Sequence, residues 1–144
     1  MYDALNVAEY VIDYEHKQNR SISNLRLQKL LYFVQAQFWV TNKRACFNDK
    51  LEAWRLGPVV PSVYHKFKLF GSLDFPRSLV TEFSGIATGD QRLINETLDK
   101  CAQYSTSTLI SLTHGQKPWQ DAYARGDDKT IYPDSMRIYF GDTQ

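Results

Sequence analysis

The strongest helical pattern of the chain lies at residues 24–39, which read NLRLQKLLYFVQAQFW. Apolar side chains recur there at the three- and four-residue spacing of a helix, and further apolar residues widen this face on both sides. The residues that set the spacing are Leu27, Leu30, Leu31, Val34 and Phe38. A helix with so wide an apolar face is predicted to be surrounded by other elements of the fold.

The start and the polar side of this helix are also marked in the sequence. Ser21, Ser23 and Asn24 each carry a side chain that can accept a hydrogen bond from an N–H group of the first turn. Only a narrow strip of the helix is predicted to face water or a partner. The residues of that strip are Arg26, Lys29, Gln37 and Phe33.

The rest of the chain predicts further helices separated by turns. Their predicted ranges are 3–17, 60–70, 90–104, 105–112 and 118–126, followed by one or two helical turns within 131–140. Residues 51–56 suit either a short extended segment or one helical turn, and residues 72–89 predict a long loop with room for an extended piece at 79–83. We therefore predict a predominantly all-α fold, in which residues 1–144 form a single compact bundle of about six helices.

Composition and charge restrict the class of function. The 144 residues are 43% hydrophobic and 14% aromatic, and 17 basic against 16 acidic residues leave a net charge of +1. A net charge this close to zero does not favour binding to nucleic acid. Neither a secretory leader nor a membrane-spanning stretch is recognisable, so we expect a cytoplasmic protein. Cys46 and Cys101 lack the spacing of a metal site, which favours two free thiols over a disulfide or a bound metal.

Local signatures of catalysis are absent from the sequence, including GxSxG, Walker A, HExxH and EF-hand patterns. His114 lies between two predicted short helices. Its ring is either a general base supported by Asp121 or a structural group that pairs with backbone atoms at the junction. The structural role is favoured because buried backbone groups require partners. We predict no catalytic residue, no metal ligand and no cofactor.

Two further features have alternative interpretations. Trp54 precedes Gly57 and Pro58, so a rigid corner either places the indole in the core or exposes it at the edge of a groove. Residues 25–32 could serve as the recognition helix of a helix-turn-helix, but the polar strip offers few groups for phosphate and base contacts. A DNA-binding helix-turn-helix therefore remains an alternative interpretation.

Several motifs follow one another along the chain. NLRLQKLLY at 24–32 is followed by EAWRLGPV at 52–59, by Tyr64, and by LTH and PW at 112–114 and 118–119. Together with a closing segment at 131–140, these motifs resemble the Panacea domain, the SocA-like antitoxin family that also includes phage-associated proteins. Arg26 stands where that family usually has Lys, and the loop at 72–89 has no recognisable counterpart.

The resemblance implies an all-α, non-enzymatic antitoxin of a type II toxin–antitoxin pair, which neutralises a cognate protein toxin by direct binding. Assembly is expected as a toxin–antitoxin heteromer or a homo-oligomer, and no membrane association is expected. Two other modes stay open: a DNA-binding autoregulator, and an adaptor that delivers its partner to a protease.

The predicted site residues fall into two sets. The candidate partner-binding residues are Arg26, Lys29, Phe33, Trp54, Arg55 and His114. The motif residues predicted to maintain the scaffold are Leu25, Gln28, Leu30, Leu31, Tyr32, Ala53, Gly57, Pro58, Val59, Tyr64, Thr113 and Trp119. We expect partner choice to depend on less patterned surface and on the loop at 72–89.

Overall fold

The computed structural model describes residues 1–80 and 85–142, and over these residues the fold is predominantly α-helical. The seven α-helices described are α1 (Ala4–Lys17), α2 (Asn24–Asn42), α3 (Pro61–Phe67), α4 (Thr88–Cys101), α5 (Thr106–His114), α6 (Lys117–Ala124) and α7 (Pro133–Met136). A 3₁₀ turn at Lys68–Phe70 follows α3, and a π-helical turn at Arg137–Gly141 follows α7. The predicted all-α fold class is confirmed.

A small antiparallel sheet lies beside the helices. Its strands are β1 (Leu51–Trp54), β2 (Gly57–Val59) and β3 (Thr130–Ile131), with β1 in the middle. Trp54 lies opposite Gly57 in the hairpin of β1 and β2, so only two residues form the turn. Leu51 lies opposite Ile131 at the other edge. The extended alternative for residues 51–56 is therefore confirmed for β1.

Helix α2 lies at the centre of the fold, in contact with α1, α3, α4, α5, β2 and the π-helical turn. The side chains that set its apolar spacing are fully buried: Leu27, Leu30, Leu31, Val34 and Phe38. Ser23 caps the helix, because its hydroxyl oxygen accepts a hydrogen bond from the N–H of Arg26 at 3.2 Å. The prediction of an enclosed central helix is confirmed, and Ser23 is the cap among the three candidates.

The remaining helices follow the predicted order with shifted ends. Helix α4 begins at Thr88, which places Asp90 inside the first turn and not at the cap. Gly71 follows the 3₁₀ turn with a φ of 55°, a left-handed conformation that glycine adopts without steric cost. Of the predicted extended piece at 79–83, residues 81–83 lie outside the described residues. No helix in the described ranges has both the length and the apolar character needed to traverse a bilayer.

Candidate partner-binding site

The hairpin of β1 and β2 is fixed to the rest of the fold from two sides, by α2 and by the junction of α5 and α6. These three segments carry the motifs that are far apart in the sequence. On the α2 side, a relay of amides links the helix to the chain that leaves the hairpin. Val60 N–H donates to Gln28 Oε1 at 2.9 Å, Gln28 Nε2 donates to Asn24 Oδ1 at 2.9 Å, and Asn24 Nδ2 donates to the Tyr64 carbonyl at 3.1 Å.

Lys29 forms the second link between α2 and the hairpin. Its side chain is fully buried, and Nζ donates to the carbonyl oxygen of Pro58 at 2.5 Å. Burial lowers the pKa of this amine to about 7, because the protein interior disfavours the charged form. Our prediction that Lys29 lies on a solvent-facing strip is therefore wrong. Its terminal nitrogen instead links α2 to the hairpin inside the fold.

Gly57 makes this close approach feasible. Its φ of +105° is a conformation that residues with a side chain rarely adopt. A Cβ at this position would stand 3.0 Å from Lys29 Cε and 3.0 Å from the hydroxyl oxygen of Thr113. The Thr113 hydroxyl itself donates to the Ile110 carbonyl at 2.7 Å. Motif residues from all three segments therefore meet at Gly57.

The junction of α5 and α6 binds the outer end of the hairpin. His114 Nε2 lies 3.1 Å from the Arg55 carbonyl oxygen, and Trp119 Nε1 donates to the Trp54 carbonyl at 2.8 Å. The rings of His114 and Trp119 are in contact, with centroids 4.1 Å apart and planes tilted by 31°. The His114 ring therefore pairs with a backbone group, as the favoured structural role requires, but that group belongs to the turn of the hairpin and not to the helix junction.

The outward side of the hairpin is rich in aromatic and apolar groups. Trp54 packs edge-on against Tyr64 with centroids 4.9 Å apart, and its Nε1 donates to Glu52, which lowers the pKa of that carboxyl. On the other side, Trp119 stacks on Tyr123 at 4.6 Å. We call the following residues the hairpin surface: Trp54, Arg55, Leu56, Tyr64, Trp119 and Tyr123.

Arg55 and Leu56 form the exposed tip of the hairpin surface, and Leu56 is 42% exposed to water. A groove of about 350 Å³ runs beside the tip, lined by Trp54, Leu56 and Tyr64 and by Leu25 from α2. Large apolar and aromatic side chains beside a rigid backbone are the usual energetic centre of a protein–protein interface. The hairpin surface is therefore our candidate partner-binding site.

The chain was also compared with known protein families and with individual proteins. The family model for the SocA-like antitoxin, Panacea domain, matches residues 27–120. The chain belongs to this family. It is also 34% identical over 139 residues to the protein named Antitoxin SocA from Caulobacter vibrioides (strain NA1000 / CB15N), an alignment that covers 86% of this chain and 71% of that relative. No solved structure matches the chain.

Of the six candidate residues, the structure brings Trp54, Arg55 and His114 together and separates the other three from the hairpin surface. Arg26 is half-buried, and its guanidinium donates to the Thr106 hydroxyl at 3.1 Å and to the Cys101 carbonyl at 3.0 Å. Arg26 is thus partly accessible, as predicted, but its guanidinium is engaged in fastening α2 to α4 and α5.

Phe33 is half-buried and lies in a different groove of about 280 Å³, formed by α2, α4, α5 and the π-helical turn. It contacts Tyr32 edge-on, with centroids 5.4 Å apart. Tyr32 is fully buried and donates to Gln116 Oε1 at 2.6 Å. Phe33 is thus partly accessible, as predicted, but it does not belong to the hairpin surface.

Sequence reasoning missed Leu56 and Tyr123 as members of the hairpin surface. Leu56 would have been recognised had residues 51–59 been assigned as a two-residue hairpin, since the turn between paired strands is the part that protrudes. Tyr123 could have been placed by the four-residue spacing from Trp119, which puts both rings on one side of α6.

Metal-binding clusters and activated thiols are both absent from the described residues. Among residues 1–80 and 85–142, no group of three or more His, Cys, Asp or Glu side chains is arranged to hold a metal ion. Cys46 and Cys101 are both free and buried, and burial raises the pKa of their thiols to about 12 and about 11. Thiols with a raised pKa are poor nucleophiles at neutral pH.

Proposed function

We propose that this Panacea-domain protein is the antitoxin of a type II toxin–antitoxin pair and neutralises a cognate protein toxin by binding it at the hairpin surface. The observation that carries the proposal is that some motif residues are buried beneath the hairpin while others are exposed at its tip. Gln28, Lys29, Gly57 and Thr113 are buried and hold the hairpin from within, while Arg55 and Leu56 are presented to solvent at its tip. The protein acts as a binder and not as an enzyme in this proposal.

The chemistry of the hairpin surface suits a protein partner. Trp, Tyr and Arg are the residue types most enriched at interface positions whose truncation costs most affinity. Trp54 and Trp119 each have the indole N–H satisfied, by Glu52 and by the Trp54 carbonyl respectively. Both rings can therefore be covered by a partner without leaving a buried donor unpaired.

The test uses the product of the neighbouring gene, since paired toxins and antitoxins are commonly encoded together. Leu56→Asp places a charge at the exposed tip, and we expect it to abolish both co-purification of the toxin and rescue of growth. Ile138→Asp is the matched control, because Ile138 is 54% exposed and lies on the π-helical turn outside the hairpin surface. Equal loss in both variants, or loss in neither, would reject the hairpin surface as the binding site.

Two alternative modes of action, a protease adaptor and a DNA-binding autoregulator, predict results that differ from those of simple sequestration. An adaptor that delivers the toxin to a protease would shorten the half-life of the toxin, whereas sequestration leaves that half-life unchanged or longer. An autoregulator would bind its own operator, with affinity that falls steeply as salt rises. Helix α2 is poorly suited to enter a DNA groove, because Lys29 is buried and Arg26 is engaged by α4 and α5.

A further inference from the structure

The groove beside the tip of the hairpin is bounded by two parts of the chain. Trp54, Leu56 and Val59 line it from the hairpin, and Tyr64 lines it from α3, together with the turn that follows that helix. Its volume of about 350 Å³ lies within the range of pockets that hold small ligands. The groove therefore has room for a large apolar side chain of a partner.

Two leucines beside the groove are exposed to water. Leu69 is 92% exposed, and Leu73 is 70% exposed. Both lie within two residues of Gly71, which lines the groove. Together with Leu56 they extend the apolar character of the groove onto the outer surface of the protein. Apolar surface of this extent beside a groove favours a protein as the partner.

The charged side chains beside the groove are basic. Arg55 is the one charged residue among the described residues that line it. Residues 53–73, which include most of the lining residues, contain Arg55, Lys66 and Lys68 but no Asp or Glu. Lys68 follows Tyr64 by four residues, so it lies on the same side of α3 as this lining residue. Arg55 and Lys68 are therefore the two cations of the groove.

Neither Arg55 nor Lys68 is neutralised by an ion pair. Both residues are exposed, and no carboxylate in residues 1–80 or 85–142 lies within ion-pair distance of either one. The first turn of α2, where Leu25 lines the groove, adds about half a positive charge, and the last turn of α3 adds about half a negative charge. The two helix ends offset each other and leave the charges of Arg55 and Lys68.

Glu52 is the carboxylate that lies next to the groove. It accepts a hydrogen bond from Trp54 Nε1 at 2.9 Å, and its second oxygen pairs with Lys50 Nζ at 3.1 Å. Because the pair of Glu52 and Lys50 has no net charge, it does not offset Arg55 and Lys68. The groove therefore keeps an excess of positive charge.

Two further carboxylates lie outside the groove. Asp74 lines a separate depression together with Arg20 and Arg26. Asp121 follows Trp119 by two residues in α6, which places the two side chains about 200° apart around the helix. The carboxylate of Asp121 is therefore on the side of α6 opposite to the hairpin surface.

We propose that the groove binds an acidic segment of the toxin. A large apolar side chain of this segment lies between Trp54, Leu56 and Tyr64, and flanking Asp or Glu side chains pair with Arg55 and Lys68. This inference rests on the proposed function, and it adds the chemistry of the partner segment to it.

The first test uses three six-residue peptides with a central Leu-Phe pair, flanked on each side by two Glu, two Gln or two Lys residues. The three tryptophans of the chain give separate indole N–H resonances, of which Trp54 reports on the groove and Trp39 lies outside it. We expect the Glu peptide to shift the Trp54 resonance and to bind about five-fold more tightly than the Gln peptide at low salt, with the Lys peptide weakest.

A double variant assigns the charges. Arg55→Gln with Lys68→Gln should reduce the affinity for the Glu peptide to that for the Gln peptide and leave the Gln peptide unchanged. Lys66→Gln is the matched control, because Lys66 is an exposed lysine on the side of α3 opposite to Lys68. Melting temperatures measured alongside establish that each variant is folded.

Three results with the peptides would overturn the proposal. The first is equal affinity for the three peptides, which would mean that the groove selects apolar side chains alone. The second is binding of the Glu peptide that the double variant does not weaken. The third is the absence of a Trp54 shift at millimolar concentration of the Glu peptide.

The same variants are then compared for binding to the product of the neighbouring gene. We expect the double variant to bind this protein about five-fold more weakly at low salt, and Lys66→Gln to bind it as the wild type does. Unchanged binding by the double variant, with binding lost in Leu56→Asp, would overturn the acidic segment and keep the proposed function. No binding by the wild type would instead reject the proposed function, and the peptides alone would then decide the preference of the groove.

Discussion

At the scale of single residues, Lys29 shows how a charged residue can belong to a core. Lysine is among the residues least often buried, so the sequence favours an exposed position. The structure instead places Nζ against the Pro58 carbonyl, in space that the missing side chain of Gly57 leaves open. The helical spacing of α2 alone could not show this, because the acceptor comes from a strand about thirty residues away.

The buried Lys29 predicts an unusual dependence of stability on pH. Its pKa is about 7 in the folded protein and near 10.5 when unfolded, so between these values the unfolded chain binds a proton that the folded chain does not. The free energy of unfolding is therefore expected to rise with pH, by roughly 1 kcal/mol between pH 7.5 and 8.5. Urea denaturation at a series of pH values measures this change.

Lys29→Met is the control for the pH dependence, because it keeps most of the side-chain volume and removes the titrating group. Its free energy of unfolding should lack the rise between pH 7.5 and 8.5. The comparison is confined to this window, since the raised pKa values of Cys46 and Cys101 cause stability to fall once the unfolded thiols ionise. A rise of equal size in Lys29→Met would contradict the role assigned to Lys29.

Gly57→Ala tests the close approach of the hairpin to α2. The new methyl group meets Lys29 and Thr113 at 3.0 Å and also disfavours the φ of +105°. We expect a loss of roughly 2–4 kcal/mol in the free energy of unfolding from steric overlap and backbone strain. Gly126→Ala separates the two causes, because Gly126 has a φ of +79° but open space around it. If both variants lose the same free energy, the contact with Lys29 and Thr113 contributes nothing.

At the scale of elements, the hairpin of β1 and β2 was the hardest feature to predict. Its strands have only four and three residues, too short for alternation to distinguish them from a helical turn. Helix α2 was predictable because its apolar spacing extends over several turns. Long periodic segments thus allowed the helices to be predicted. The hairpin depends on contacts with Gln28, Lys29 and Trp119, and no local sequence pattern reveals those contacts.

The cap of α2 can be tested at this scale. Ser23→Ala removes the acceptor for the Arg26 N–H and is expected to lower the free energy of unfolding by about 1 kcal/mol. Asp3→Ala is the matched control, because Asp3 stands at the cap position of α1 without a side-chain hydrogen bond to the helix. Urea denaturation of both variants should show the larger loss for Ser23→Ala. The reverse order would mean that Ser23 does not cap the central helix.

At the scale of the whole molecule, the sequence predicted the fold class, the central helix and the family, but the six candidate binding residues do not lie on one surface. Three of the six candidates, Trp54, Arg55 and His114, meet at the hairpin. Arg26 and Lys29 are engaged within the fold, because residues on one side of a helix need not face solvent when other elements cover that side. Which side of α2 is covered is decided by tertiary packing.

The central claim is that buried motif residues maintain the scaffold while the exposed hairpin tip binds the partner. Parallel measurement of melting temperature and toxin affinity for Gln28→Ala and Leu56→Asp tests it most directly. Gln28→Ala leaves the Val60 N–H unpaired and should lower the melting temperature by roughly 5–10 °C, with the affinity of the folded fraction unchanged. Leu56→Asp should show the opposite pattern, an unchanged melting temperature and lost affinity. Affinity lost in Gln28→Ala and retained in Leu56→Asp would contradict the account.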